Sequence, residues 1–142
     1  MNAAGRKKTI GDLLLVAAAA LLQWTAFVAV RIVAFGRIRR ALATSRRRHA
    51  QIRIADEAAV RRLAWAVQTS SVVFVPFSSC VTEAIAAVAL AKALGYSAAL
   101  NFGVKPPDAS GLAAHAWATS GGLTIVGGET RDWAQLHAAR TM

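Results

Sequence analysis

Two side chains of this sequence could together cleave an acyl bond: Cys80, the only cysteine, and His115, in the tripeptide His115-Ala116-Trp117. A thiolate attacks carbonyl carbon, and an imidazole within hydrogen-bond reach can take the thiol proton and later return it to a leaving amine. Taken singly, a cysteine is more often a small buried hydrophobe and a histidine a satisfied structural group, so position has to carry the case. Cys80 follows Ser78 and Ser79, which are helix-capping residue types, and precedes a run with apolar residues at Val81, Ile85, Val88 and Ala89. That spacing predicts a helix from Val81 to Leu94, ended by Gly95, with Cys80 in its first turn. There the unpaired backbone N–H groups and the positive end of the helix dipole stabilise a thiolate, and the Cys80 N–H is an expected oxyanion donor.

The elements that must position this pair follow from the pattern after Gly95. Ser97 to Val104 reads as a strand, Lys105 to Ala113 as a loop marked by Pro106, Pro107 and Gly111, and Ala114 to Thr119 as a second strand carrying His115. Gly121-Gly122 predicts a tight hairpin into a third strand, Leu123 to Val126, and Thr130 to Ala139 has a helical pattern. Strand alternation puts Trp117 on the same face as His115, where it either walls a cleft or packs on the Cys80 helix. Trp24, Trp65 and Trp133 are expected in core or interface positions. The fold class is α+β: a helix bearing the thiol on a small antiparallel sheet bearing the imidazole.

The segments Cys80-Val81-Thr82-Glu83-Ala84-Ile85-Ala86, Leu94-Gly95-Tyr96 through Asn101-Phe102-Gly103-Val104, and Ala114-His115-Ala116-Trp117 resemble the bacterial transglutaminase-like (papain-like) leader peptidase of lasso-peptide biosynthesis. The likeness covers most of the chain, because that family also has an apolar N-terminal helical region and a basic connection before its cysteine. It implies a papain/transglutaminase-like core and a cysteine protease that removes the leader from a ribosomally made precursor peptide. Cys80 would be the nucleophile and His115 the general base. It also implies a separate leader-recognition protein and a lasso cyclase as partners, and a cytoplasmic location. The family's third member is an aspartate shortly after the histidine, whereas this region reads Thr124-Ile125-Val126-Gly127-Gly128-Glu129, with no aspartate before Asp132. Glu129, Asp132 or a backbone carbonyl could orient the imidazole instead. Glu129 is equally an ordinary acid in the first turn of the helix expected from Thr130.

A length of 142 residues suits a single domain, with an apolar helix and basic connection over 1–55 and a catalytic core over 56–142. A lone cysteine excludes an internal disulfide and fits a reducing compartment; no cofactor is implied, and no Cys/His cluster has metal-site spacing. His49 and His137 are expected to be solvated. Asp56 and Glu57 begin a further helix whose apolar face is Val60, Leu63, Ala64 and Val67, extended by Trp65, with Arg61 and Arg62 turned out; Thr69 to Val75 reads as extended.

Net charge is +10, and only Lys92, Lys105, Arg131 and Arg140 of the basic residues lie beyond Arg62. The stretch from Arg31 to Arg53 is rich in arginine and contains no acid, with Arg46-Arg47-Arg48 its densest run. Such a stripe attracts anions of any kind and is one docking surface for the leader-recognition partner. Nucleic acid is not expected as a partner, because the arginines are not interleaved with aromatics and no DNA-binding motif accompanies them. Leu13 to Val30 is uncharged, between Arg6-Lys7-Lys8 and Arg31, and Thr9 with Asp12 reads as a helix start. A buried core helix is the favoured reading, with membrane attachment and a signal peptide as rivals. Two further function classes stay open: a non-catalytic scaffold of the same fold, and a small membrane-associated binding protein whose basic stripe contacts lipid.

Overall fold

The computed structural model describes residues 8–33, 36–38, 40, 53–73, 79–109, 111–130 and 132–136. The central element is α3 (Cys80–Ala93), packed by α1 (Ile10–Ile32), by α2 (Glu57–Val73) and by the sheet. It is rich in alanine and buried nearly all round, at Thr82, Ala84, Ile85, Ala86, Ala87, Val88, Leu90 and Ala91. Small side chains let neighbouring backbones approach from every side, and the core then fills around Leu63, Val67 and Val88. Burying each of these branched residues stabilises the fold by about 1.5–3 kcal/mol.

The sheet is four-stranded and antiparallel, in the order β5 (Leu123–Val126), β4 (Gly111–Ser120), β3 (Ala99–Asp108) and β6 (Ala134–Leu136). A two-stranded parallel pair, β1 (Arg53–Ile54) with β2 (Tyr96–Ser97), stands beside it. The buried hydroxyl of Ser120 ties the two together, donating to the Ser97 carbonyl and accepting from the Ala55 N–H at 3.2 Å. Gly121 and Gly122 take φ of +56° and +84°, the pair of left-handed residues a two-residue hairpin between β4 and β5 requires. A register shift at Ala118/Thr119 turns Ile125 and Val126 into the core together, although they are adjacent in the strand.

The expected helix at Cys80 and the strand containing His115 are both present, and so is the α+β class. The loop expected over Lys105 to Ala113 is largely strand. β3 runs on through Pro106 and Pro107 to Asp108, and the pairing with β4 absorbs them in a register shift between Lys105 and Asp108. Proline is tolerated at such an irregularity because no ladder N–H is needed from it there. The helical pattern over Thr130 to Ala139 is overridden at Ala134–Leu136, which pairs antiparallel with Phe102–Val104 and completes the sheet edge. The extended reading of Thr69 to Val75 fails as far as Val73, where α2 ends, and the last two residues of that stretch lie outside the described ones; the Ser70 and Ser71 hydroxyls both donate to the Val67 carbonyl at 2.8 Å. His49, His137 and the Arg46-Arg47-Arg48 run lie outside the described residues.

The N-terminal helix departs most from expectation. A capping box starts it, Thr9 Oγ1 accepting from the Asp12 N–H and Asp12 Oδ2 from the Thr9 N–H at 3.0 Å. Only one narrow face then packs, through Asp12, Leu15, Ala19, Gln23 and Ala26. Asp12 meets Arg62 of α2 at 3.2 Å, and the Gln23 amide donates to the Val67 carbonyl at 2.9 Å. The helix is a core element along that face and exposed along the other.

Candidate active site

Ser79 fixes the start of α3. Its Oγ accepts from the Thr82 N–H at 3.3 Å, and its own N–H donates to Thr82 Oγ1 at 2.9 Å, the reciprocal bonds of a capping box. Cys80 is consequently the first helical residue, half-buried against the core, with a free thiol. The cap satisfies Thr82, and the Ser79 carbonyl takes the Glu83 N–H at 2.9 Å. Among the described residues the N–H groups of Cys80 and Val81 have no acceptor, because the first turn of a helix offers them no intrahelical carbonyl.

His115 stands opposite Gly103 across the β3–β4 pairing. Its Nε2 lies 2.6 Å from the Gly127 carbonyl oxygen. A carbonyl only accepts, so Nε2 carries the proton, and in the neutral ring Nδ1 keeps its lone pair for a proton from elsewhere. The ring stacks with Trp117 at 6.1 Å between centroids and is covered by Trp133 at 5.0 Å. Lys105 Nζ sits 4.6 Å from the centre of the Trp133 ring. Trp117 is thus on the histidine's face, as alternation requires, and its ring lies across Gly103, where a Cβ would come within 2.9 Å of it.

Neither expected carboxylate holds the imidazole. Glu129 and Asp132 are both exposed, and among the described residues neither bonds the ring; the backbone at Gly127 takes that place. Gly127 can do so because it has φ +116° and no side chain: a Cβ there would lie 2.2 Å from Trp117 Cβ. The Gly-Gly pair straight after a strand carrying buried residues was the sequence signal for this turn. Its role at the imidazole depends on which strand it returns beside, and only the fold shows that.

The elements bearing Cys80 and His115 pack on each other, α3 against β4. The two side chains are not joined by a hydrogen bond among the described residues. Ala116 and Ala118, which alternate with His115 and Trp117, belong to the core with α3. His115 instead belongs to the aromatic group with Trp117 and Trp133. Among the described residues no group of His, Cys, Asp and Glu could hold a metal ion.

The profile of the transglutaminase-like superfamily matches residues 17–141. The chain belongs to that superfamily. The match takes in both Cys80 and His115, and this superfamily commonly uses a Cys-His-Asp set for protease or transferase chemistry. In this transglutaminase-like chain the Gly127 carbonyl, and among the described residues no carboxylate, bonds the His115 ring. Neither a curated protein nor a solved structure matches the chain.

Proposed function

We propose that this transglutaminase-like protein is a cysteine peptidase that removes the leader from a ribosomally made, lasso-type precursor peptide. The observation that carries the reading is Cys80 as the first residue of a capped central helix in a chain of this superfamily. His115 Nδ1 takes the thiol proton, and the sulfur adds to the scissile carbonyl carbon. The helix-start N–H groups of Cys80 and Val81 receive the oxyanion. Collapse expels the amine, which takes the proton back from the imidazolium. Water then cleaves the thioester and restores the thiol. The Gly127 carbonyl holds the ring's tautomer and bears part of the positive charge that develops on it.

Attack requires the thiol and Nδ1 to come within about 3 Å, which means bringing the start of α3 to the β4 face that carries His115, since Ala116 and Ala118 on the other face are the ones packed with α3. The reading makes the chain a single domain acting in the cytoplasm with a separate leader-recognition protein and a cyclase. A second reading, a non-catalytic scaffold, draws support from the unbonded Cys80–His115 pair and the missing carboxylate. Intact-protein mass spectrometry after incubation with a peptide-like thiol electrophile separates the two. Under the peptidase reading a single adduct forms at Cys80, faster than on a free thiol, and His115→Ala slows it sharply. A rate equal to that of a free thiol, or one indifferent to His115→Ala, establishes the scaffold.

A further inference from the structure

The α1 helix has its polarity inverted relative to an ordinary surface helix. Asp12 and Gln23 point inward, Asp12 to Arg62 and Gln23, 3% exposed, to α2, while the exposed Thr25 hydroxyl folds back on the Leu21 carbonyl. Apolar side chains point outward: Ile10, Leu13, Leu14, Leu21 and Ile32 are 60% to 78% exposed, and Val28 and Trp24 share that face. At 100° per residue these positions form one stripe along the helix, with no charged side chain on it between Ile10 and Val28. At 1.5 Å per residue the stripe is about 27 Å long, larger than the scattered apolar residues that water tolerates.

Cations mark both ends of the stripe. Lys8 precedes the helix, and Arg31, in its last turn, lies 4.9 Å over the Phe27 ring, with Arg37 and Arg40 exposed beyond. Beside the N-terminal end a recess of about 390 Å³ is lined by Lys8, Asp12, Ala58, Arg61, Arg62 and Trp65, with Arg62 paired to Asp12 and Arg61 to Glu57. The whole chain carries +10. An apolar stripe with basic residues at its ends complements a surface that is apolar within and negatively charged at its head groups.

We propose that α1 seats the protein in the plane of an anionic phospholipid membrane, its outward stripe among the acyl chains and its basic ends among the head groups. The helix is long and apolar enough to cross a membrane by length and composition, but only 22% of its most apolar window is buried in the fold. Spanning would pull α1 off α2 and α3, break the Asp12–Arg62 pair and carry Gln23 into hydrocarbon without its partners on α2, where an unsatisfied group is costly. Lying in the plane keeps those contacts and covers the exposed stripe. This assignment is independent of the thiol chemistry, so its failure leaves the peptidase reading intact.

The test is co-sedimentation of the full chain with vesicles of phosphatidylcholine alone and of phosphatidylcholine with phosphatidylglycerol, with the double variant Leu14→Glu/Leu21→Glu alongside. Both positions are exposed, so thermal melting in vesicle-free buffer should be unchanged. The expected result is binding that needs phosphatidylglycerol, weakens with salt, and falls by about tenfold or more in the double variant. Trp24→Phe should remove part of the fluorescence blue shift that accompanies binding. The proposal is overturned if anionic vesicles do not bind the parent or bind the double variant equally. It is also overturned if membrane-bound parent resists carbonate extraction, which means spanning. A parent that is dimeric in buffer, becomes monomeric in the double variant and ignores vesicles assigns the stripe to a second copy instead.

Discussion

Replacing Gly127 by alanine should be far more damaging than replacing its neighbour Gly128, and the difference measures how firmly the turn that holds His115 is fixed. Both residues have positive φ, +116° and +67°. An alanine at position 128 meets nothing within 4 Å, so its cost is the left-handed backbone alone, about 1–2 kcal/mol. An alanine at position 127 carries a sparsely populated backbone conformation worth about 1–3 kcal/mol. Its Cβ would also lie 2.2 Å from Trp117 Cβ and 2.9 Å from Trp117 Cα, and the backbone contact cannot be relieved by a rotamer change. Overpacking of that kind adds about 1–3 kcal/mol, for a total of about 2–6 kcal/mol. For a chain of this size each kcal/mol moves Tm by about 4 °C, so Gly127→Ala should lower it by roughly 10–20 °C and Gly128→Ala by less than half as much. Melting followed by circular dichroism gives the stabilities, and imidazole nitrogen chemical shifts show whether Nε2 still donates to the 127 carbonyl. Equal melting temperatures for the two variants, with the Nε2–H signature retained in Gly127→Ala, would refute the close approach of this turn to Trp117 and its grip on His115.

Ser79→Ala removes the side-chain cap of α3 and leaves the Thr82 N–H without its acceptor, while the Thr82 hydroxyl keeps the backbone N–H and carbonyl of residue 79; a loss of about 1 kcal/mol in urea unfolding is expected, with slower alkylation of Cys80 as the helix start frays. Gln23→Leu should be close to neutral in stability, within about 1 kcal/mol, because Gln23 Oε1 is buried with no partner among the described residues and the Val67 carbonyl keeps the Ser70 and Ser71 hydroxyls. A large loss on denaturant titration would mean that the amide specifies the α1–α2 contact. Burial holds the Lys92 ammonium below its usual pKa of 10.5. Its unfolded form therefore binds the proton more readily, and its contribution to stability rises as pH climbs through the folded pKa toward the unfolded one. Lys92→Met should flatten that alkaline rise in unfolding free energy measured against pH.

Local chemistry made the helix at Cys80 legible: a serine cap, an apolar spacing and a terminating glycine agree, and each acts within a few residues. The Gly121-Gly122 hairpin is equally local. Where the sequence misled, a contact from far along the chain outweighed a local preference. The backbone of residues 134–136 follows an open edge of β3 rather than its own helical pattern, and Pro106 and Pro107 sit in a strand because β4 pairs around them. The candidate site divides in the same way. The thiol and the imidazole could be picked out by residue type and setting, but the group holding the imidazole is a backbone carbonyl, and every residue has one. For the N-terminal segment the sequence alone determined a capped helix, uncharged from Leu13 to Val30, with cations at its ends. Which of its faces meets protein, and that the polar residues lie on that face, only the tertiary structure decided. Hydropathy along a chain records how much a helix would gain from leaving water, whereas its neighbours in space set which side does so.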